Sequence, residues 1–137
     1  MHFSKTTEYA VRILSYLYRY PLEPHSATFL HKELQLPYKY LTKLMTKLEK
    51  EGFVSATRGC NGGFRLAMDA ENIYLHHIVE SVGESLESQR CILGFEMCDA
   101  RNPCALHHKW LKPKKAIDEM LESTTLAELM QNEEGKI

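Results

Sequence analysis

Three of the four cysteines fall within fourteen residues, as Cys91-x6-Cys98-x5-Cys104, and His107 follows Cys104 by three positions. Thiolate and imidazole are the side chains that hold transition metals or undergo reversible oxidation. If the chain is helical from about residue 104, Cys104 and His107 share one face and can serve one centre. A thiol at a helix start is also more acidic than a free one, which favours ligation. Zinc knuckles usually bring their ligands in tight C-x2–4-C pairs. Gaps of six and five residues are wider, and suit a loop wrapped around a larger inorganic body such as an iron–sulfur cluster. Three loop cysteines leave one position for a ligand other than a thiolate: His107 is the nearest candidate, and Glu8 is another if the first helix of a second copy approaches. The spacing leaves an iron–sulfur cluster, a zinc ion and free or redox-active thiols all open. Cys60 stands apart, in a turn, and reads as a small solvent-facing residue.

The elements that must position these groups belong to an ordinary globular chain. It has 137 residues, 44% of them hydrophobic and 26% charged, with a net charge of −1. That composition excludes wholesale disorder, and no apolar run approaches the roughly 20 residues of a membrane span. Met1-His2-Phe3-Ser4-Lys5 lacks the layout of a secretory signal, so a cytoplasmic protein is expected, in which cysteines serve as ligands or redox groups rather than as a disulfide framework. Charge is divided unevenly: residues 1–66 carry ten Lys/Arg against five Asp/Glu, and residues 67–137 carry seven against thirteen. A basic half followed by an acidic half suggests two tasks, the first facing a polyanion. The expected division is 1–68, a DNA-binding domain, and 69–137, holding a helix, the cysteine-rich loop (89–108) and a long terminal helix.

The spacing predicts a helix over 4–20, capped by Ser4, with Ala10, Val11, Leu14 and Leu17 on one face. Pro21 and Pro24 end it, Ser26 caps a shorter helix, and Pro37 opens a third over about 37–51, closed by Gly52. On that third helix Leu41, Leu44, Met45 and Leu48 form a buried stripe. Lys39, Lys43, Lys47 and Lys50 form a second stripe, with Thr42 and Thr46 beside it, the kind of surface that enters a major groove. Residues 53–58 and 64–66 read as strands around the turn Gly59-Cys60-Asn61-Gly62-Gly63, with Arg58 and Arg65 on the flanks, within reach of phosphate or a minor groove. Three helices and a hairpin in this order make a winged helix-turn-helix, within a mainly α chain whose only β-structure is that hairpin. Further on, residues 69–88 are expected to hold another helix, ending near Gly83, and 89–104 a functional loop. A helix then runs to about Ser123, kinked or begun by Pro113, and 124–129 read as a capped final turn or short helix.

Arg58-Gly59-Cys60-Asn61-Gly62-Gly63-Phe64-Arg65-Leu66 resembles the hairpin signature of the IscR/NsrR/RirA family, winged-helix bacterial regulators that carry iron–sulfur clusters. Lys5-Thr6-Thr7-Glu8-Tyr9-Ala10-Val11-Arg12, the stretch Tyr40-Leu41 to Gly52-Phe53-Val54, and Thr125-Leu126-Ala127-Glu128-Leu129 are similar to the same family. The resemblance implies a homodimer joined through the long C-terminal helix and bound to a palindromic operator in double-stranded DNA. It implies Cys91, Cys98 and Cys104 as cluster ligands. Cys104-x2-His107-x2-Trp110 looks like the IscR end of the family, where a histidine completes a 2Fe–2S site. Glu8 matches an acidic residue that other members place on a 4Fe–4S cluster from the opposite subunit. The 2Fe–2S form is placed first, and both stay open. The first gap of six and the presence of Cys60 depart from the usual pattern.

The expected protein is therefore a repressor, not an enzyme, that senses nitric oxide, iron or redox state. Lys39, Lys43 and Lys47 enter the groove, Tyr40 and Thr42 lie beside them, and Arg58 and Arg65 anchor the wing. Two copies place their reading helices about one DNA turn apart. A zinc- or thiol-based regulator on the same fold is the alternative; an iron–sulfur electron carrier is a further one, unsupported by any nucleotide-binding loop or paired carboxylates.

Overall fold

The computed structural model describes residues 2–83, 91–132 and 134–137. Its elements run α1 (Lys5–Arg19), α2 (Ala27–Leu34), α3 (Tyr38–Lys50), β1 (Val54–Thr57), β2 (Gly63–Leu66), a 3-10 turn (Ala70–Asn72), α4 (Leu75–Ser81), α5 (His107–Ser123) and α6 (Leu126–Gln131). Each helix start in the first half has a local cause. The Ser4 hydroxyl accepts the Thr7 N–H, and the Ser26 hydroxyl accepts the Phe29 N–H, satisfying donors that a helix start leaves unpaired. Gln35 closes α2 in the left-handed region and Pro37 caps α3, so the chain turns sharply between the two helices.

α1 lies at the centre. Its Ala10, Ile13, Leu14 and Leu17 meet Leu30 of α2, Leu41, Leu44, Met45 and Leu48 of α3, Ile78 of α4 and Leu126 of α6 in one core. The antiparallel hairpin pairs Val54 with Leu66 and Thr57 with Gly63. A third segment joins it: His25 bridges Phe64, its N–H donating to the Phe64 carbonyl at 3.0 Å and its own carbonyl accepting from Phe64 at 2.8 Å. This explains the glycine pair in the hairpin signature. A Cβ on Gly62 would sit 2.0 Å from the Thr57 carbonyl oxygen, and one on Gly63 would sit 2.4 Å from the His25 carbonyl carbon.

The helix expected within 69–88 and ending near Gly83 is α4, which closes at Val82 but begins only at Leu75. A 3-10 turn and α4 are separated at Ile73–Tyr74, because Tyr74 is extended and bridges Thr125. Leu75 donates to Thr124 and Leu126 donates to Ile73, so these backbone groups are spent on the C-terminal segment instead of on a continuous helix. Residues 84–88 of that expectation lie outside the described residues. α5 is one helix from His107, with Pro113 inside it, so Pro113 does not mark its start. α6 opens with a reciprocal pair: the Thr125 hydroxyl accepts the Glu128 N–H, and the Glu128 carboxylate accepts the Thr125 N–H. No helix among the described residues is long and apolar enough to cross a membrane.

Candidate metal centre and nucleic-acid interface

Residues 91–106 form neither helix nor strand, as the aperiodic sequence implies. The arm is organised around its sulfurs. Cys91 is buried; its N–H donates to the Phe95 carbonyl at 3.2 Å and its carbonyl accepts from Gly94 at 2.9 Å, closing a tight turn over the thiol. The Cys91 and Cys104 thiols lie close enough to perturb one another. The Cys98 sulfur lies 3.3 Å from His107 Nδ1. His107 is only 3% exposed at the first position of α5, and its N–H donates to the Cys104 carbonyl at 3.1 Å. Three thiols, thirty-one or more positions beyond Cys60, and one buried imidazole are thus arranged by the fold in two pairs. Among the described residues, no three or more His, Cys, Asp or Glu side chains form a group that could hold a metal ion.

The electrostatics of the pairs differ. Burial pushes the Cys91 thiol up, but hydrogen bonds from the backbone at Leu93, from Cys104, and from the backbone at Phe95 and Gly94 outweigh it and leave it below the ordinary thiol value. Cys104 moves the other way: its hydrogen bond to Cys91 raises it, as do burial and the neighbouring Cys91 and Cys98, against a smaller lowering by the backbone at Leu106. One proton shared between two sulfurs produces this opposition. Three thiols and an imidazole, with backbone donors aimed at the Cys91 sulfur, are a donor set whose chemistry fits a thiolate-bound iron–sulfur cluster.

Glu8 is elsewhere. It sits in the first turn of α1, ion-paired with Lys5 at 2.7 Å, and this partner raises the Lys5 pKa. Among the described residues no hydrogen bond or ion pair joins Glu8 to the cysteine arm. Cys60 is exposed on the hairpin turn, where the sequence places it.

On the opposite part of the molecule, α3 buries Leu41, Leu44, Met45 and Leu48 and exposes Lys39, Lys43, Lys47 and Lys50. The Thr42 hydroxyl donates to the Lys39 carbonyl and that of Thr46 to the Thr42 carbonyl. The Tyr40 hydroxyl is engaged by Thr6, and its ring stands edge-on to Tyr9 at 5.5 Å, so this residue also fastens α3 to α1. Arg58 is exposed beside the turn. Arg65 is exposed too, and donates to the Leu22 carbonyl at 3.2 Å, tying the wing to the α1–α2 connection. Lys47 differs from Lys39 and Lys43: its ammonium donates to the Val82 carbonyl at 3.2 Å. Periodicity alone had given no sign of that contact.

A helix-turn-helix with an outward cationic face and a flanking hairpin is the architecture of a winged-helix transcription regulator. The Rrf2 family model, whose description is iron-dependent transcriptional regulator, matches residues 3–132. The chain belongs to the Rrf2 family. It is 34% identical over 98% of its length to an HTH-type transcriptional regulator of Aquifex aeolicus, and the match covers 94% of that protein. It is 37% identical over 95 residues to the regulator IscR of Xenorhabdus nematophila, a match spanning 69% of this chain and 57% of the length of that relative. Among solved structures, IscR of T. potens superposes with a TM-score of 0.74 at 27% identity, over 100% of this chain and 92% of the other. CymR, the global cysteine regulator of B. subtilis, shares the fold with a TM-score of 0.79 at 22% identity, over 96% and 97% of the two chains.

Proposed function

We propose that the protein is a cytoplasmic, homodimeric repressor that binds a palindromic operator and responds to nitric oxide, iron or redox state through an iron–sulfur cluster held by Cys91, Cys98, Cys104 and His107. The observation that carries this reading is the arrangement of three thiols and a buried imidazole in two pairs, Cys98 with His107 and Cys91 with Cys104, on an arm without helix or strand. A cluster bound there supplies a centre that nitric oxide, oxygen or iron loss alters. The chain's own residues do the rest. The backbone at Leu93, Gly94 and Phe95 stabilises negative charge on Cys91, and the Cys104 carbonyl fixes the start of α5 on which His107 rides. His107 as fourth ligand corresponds to the 2Fe–2S form; Glu8 of a second copy corresponds to the 4Fe–4S form.

On the DNA side, Lys39 and Lys43, with Thr42 and Tyr40 at their edge, address the major groove, while Arg58 and Arg65 hold the wing against the backbone. The dimer forms along α5, where Leu111 and Met120 are 43% and 50% exposed. Anaerobic purification tests the centre. A coloured protein with iron and sulfide, bleached by nitric oxide with a change in promoter binding, is expected; a colourless protein with stoichiometric zinc refutes it. The Cys91–Cys104 pair favours one second reading, a thiol switch on the same fold. In that case binding follows oxidation of those two thiols with no metal bound, and removal of either one abolishes the response.

A further inference from the structure

Lys47 is spaced as a member of the DNA-facing stripe, yet its ammonium is bonded to the protein's own backbone at Val82. We propose that Lys47 is a positioning residue that fastens the reading helix α3 to the C-terminal end of α4, and not a phosphate contact. This deepens the DNA-binding reading above and rests on it for the meaning of the stripe. Three observations carry it. First, the Lys47 ammonium donates to the Val82 carbonyl at 3.2 Å, and Val82 is the residue that closes α4. A helix end leaves its last carbonyls without partners and carries partial negative charge, so a cation placed there is held by both effects.

Second, Gly83 follows in the left-handed region, φ +78°, with its missing Cβ 3.7 Å from the Lys47 ammonium. The chain therefore turns away beside the contact, and Val82 itself is buried in the core. Third, helix geometry separates Lys47 from its neighbours. At 3.6 residues per turn, each four-residue step winds the row by about 40°, so Lys47 lies about 80° round from Lys39. Lys50 falls back to within about 20° of Lys39 by the same count. Lys47 thus shares an edge of α3 with Tyr40, and both are bonded to other helices, Tyr40 to α1 and Lys47 to α4. Lys39, Lys43 and Lys50 are left as the groove-facing ammoniums. The strut thus sets α3 relative to the C-terminal end of α4.

The test uses the full-length protein with Lys47→Gln, Lys47→Arg and Lys43→Gln variants, and a 30-base-pair duplex of arbitrary sequence. Affinity is measured against salt, and amide hydrogen exchange is followed over residues 78–83. A phosphate contact contributes about one unit to the salt slope. Lys43→Gln is expected to lower the slope by about one. Lys47→Gln is expected to leave the slope unchanged, any loss of affinity being the same factor at every salt concentration. It also speeds exchange at Val82 and Gly83, on the order of tenfold, and Lys47→Arg restores the protection. A slope lowered by about one in Lys47→Gln, or exchange unchanged by it, overturns the proposal. If the protein binds no duplex at all, the DNA reading fails, and the exchange measurement alone still decides whether Lys47 is a strut.

Discussion

The winged helix and the cysteine-bearing half finish their packing differently. In the first, apolar side chains find partners within the chain: Ala10, Ile13, Leu14, Leu30, Leu41 and Leu48 are wholly buried. In the second, Ile92, Leu93, Phe95 and Met97 are 40% to 69% exposed, and of the seventeen residues of α5 only His107 and Leu121 are buried. The cysteine arm has almost no hydrophobic support of its own. Its order comes from sulfur–sulfur and sulfur–imidazole contacts and a few backbone hydrogen bonds. The contrast teaches that the winged helix closes a core within a single chain, while the cysteine arm and most of α5 leave their apolar side chains uncovered. In the function proposed above, a bound group and a second copy would cover them, and a weakly supported arm can change state at low cost.

The contrast is open to direct attack. Leu14→Ala removes a side chain with no exposed surface from the centre of the core, and should cost about 2–5 kcal/mol of unfolding free energy, read by denaturant melts. A cost below about 1 kcal/mol would mean the winged helix is not the rigid partner. Leu111→Asp places a charge at an exposed apolar position of α5, on the face proposed for the dimer. It should raise the dimer dissociation constant on the order of a hundredfold in sedimentation equilibrium, with helical content intact; an unchanged dimer would move the interface off that face.

Thr125→Ala removes one half of the α6 capping pair. Because that helix start is stitched to Ile73, a loss of about 1 kcal/mol is expected, with exchange quickening on both sides of the Tyr74–Thr125 bridge. Cys98→Ala should leave melting of the winged helix within about 0.5 kcal/mol of the parent. The same change should abolish the visible absorbance of anaerobically prepared protein. A large loss of stability in metal-free Cys98→Ala would show that the arm supports the scaffold, and the two-region picture would fall.

Much of the scaffold was legible because it is local. The caps at Ser4, Ser26 and Thr125, the turn at Pro37, the stop at Gly52 and the leucine stripe of α3 are each written within a few residues and are observed as expected. The hairpin signature belongs with them, although the reason for Gly62 and Gly63 needed the approach of Thr57 and His25 to become visible. The cysteine spacing marked the arm as a ligand-bearing loop. The broken helix at Ile73–Tyr74 was not legible, since its cause is a bridge to Thr125, fifty-one positions away. Nor was the pairing of Cys98 with His107 and of Cys91 with Cys104, or the turning of Lys47 onto α4.

Sequence by itself thus determined which segments are helical, which faces are apolar, and which residues carry cation and sulfur chemistry, because propensity, capping and periodicity act over one to four residues. Tertiary structure alone decided where α4 begins, which thiol faces which partner, and which lysine of an apparently uniform row is bonded to the protein's own backbone. Those outcomes depend on carbonyls and side chains brought together from distant segments, and a pattern with a period of four residues holds no information about what stands opposite it.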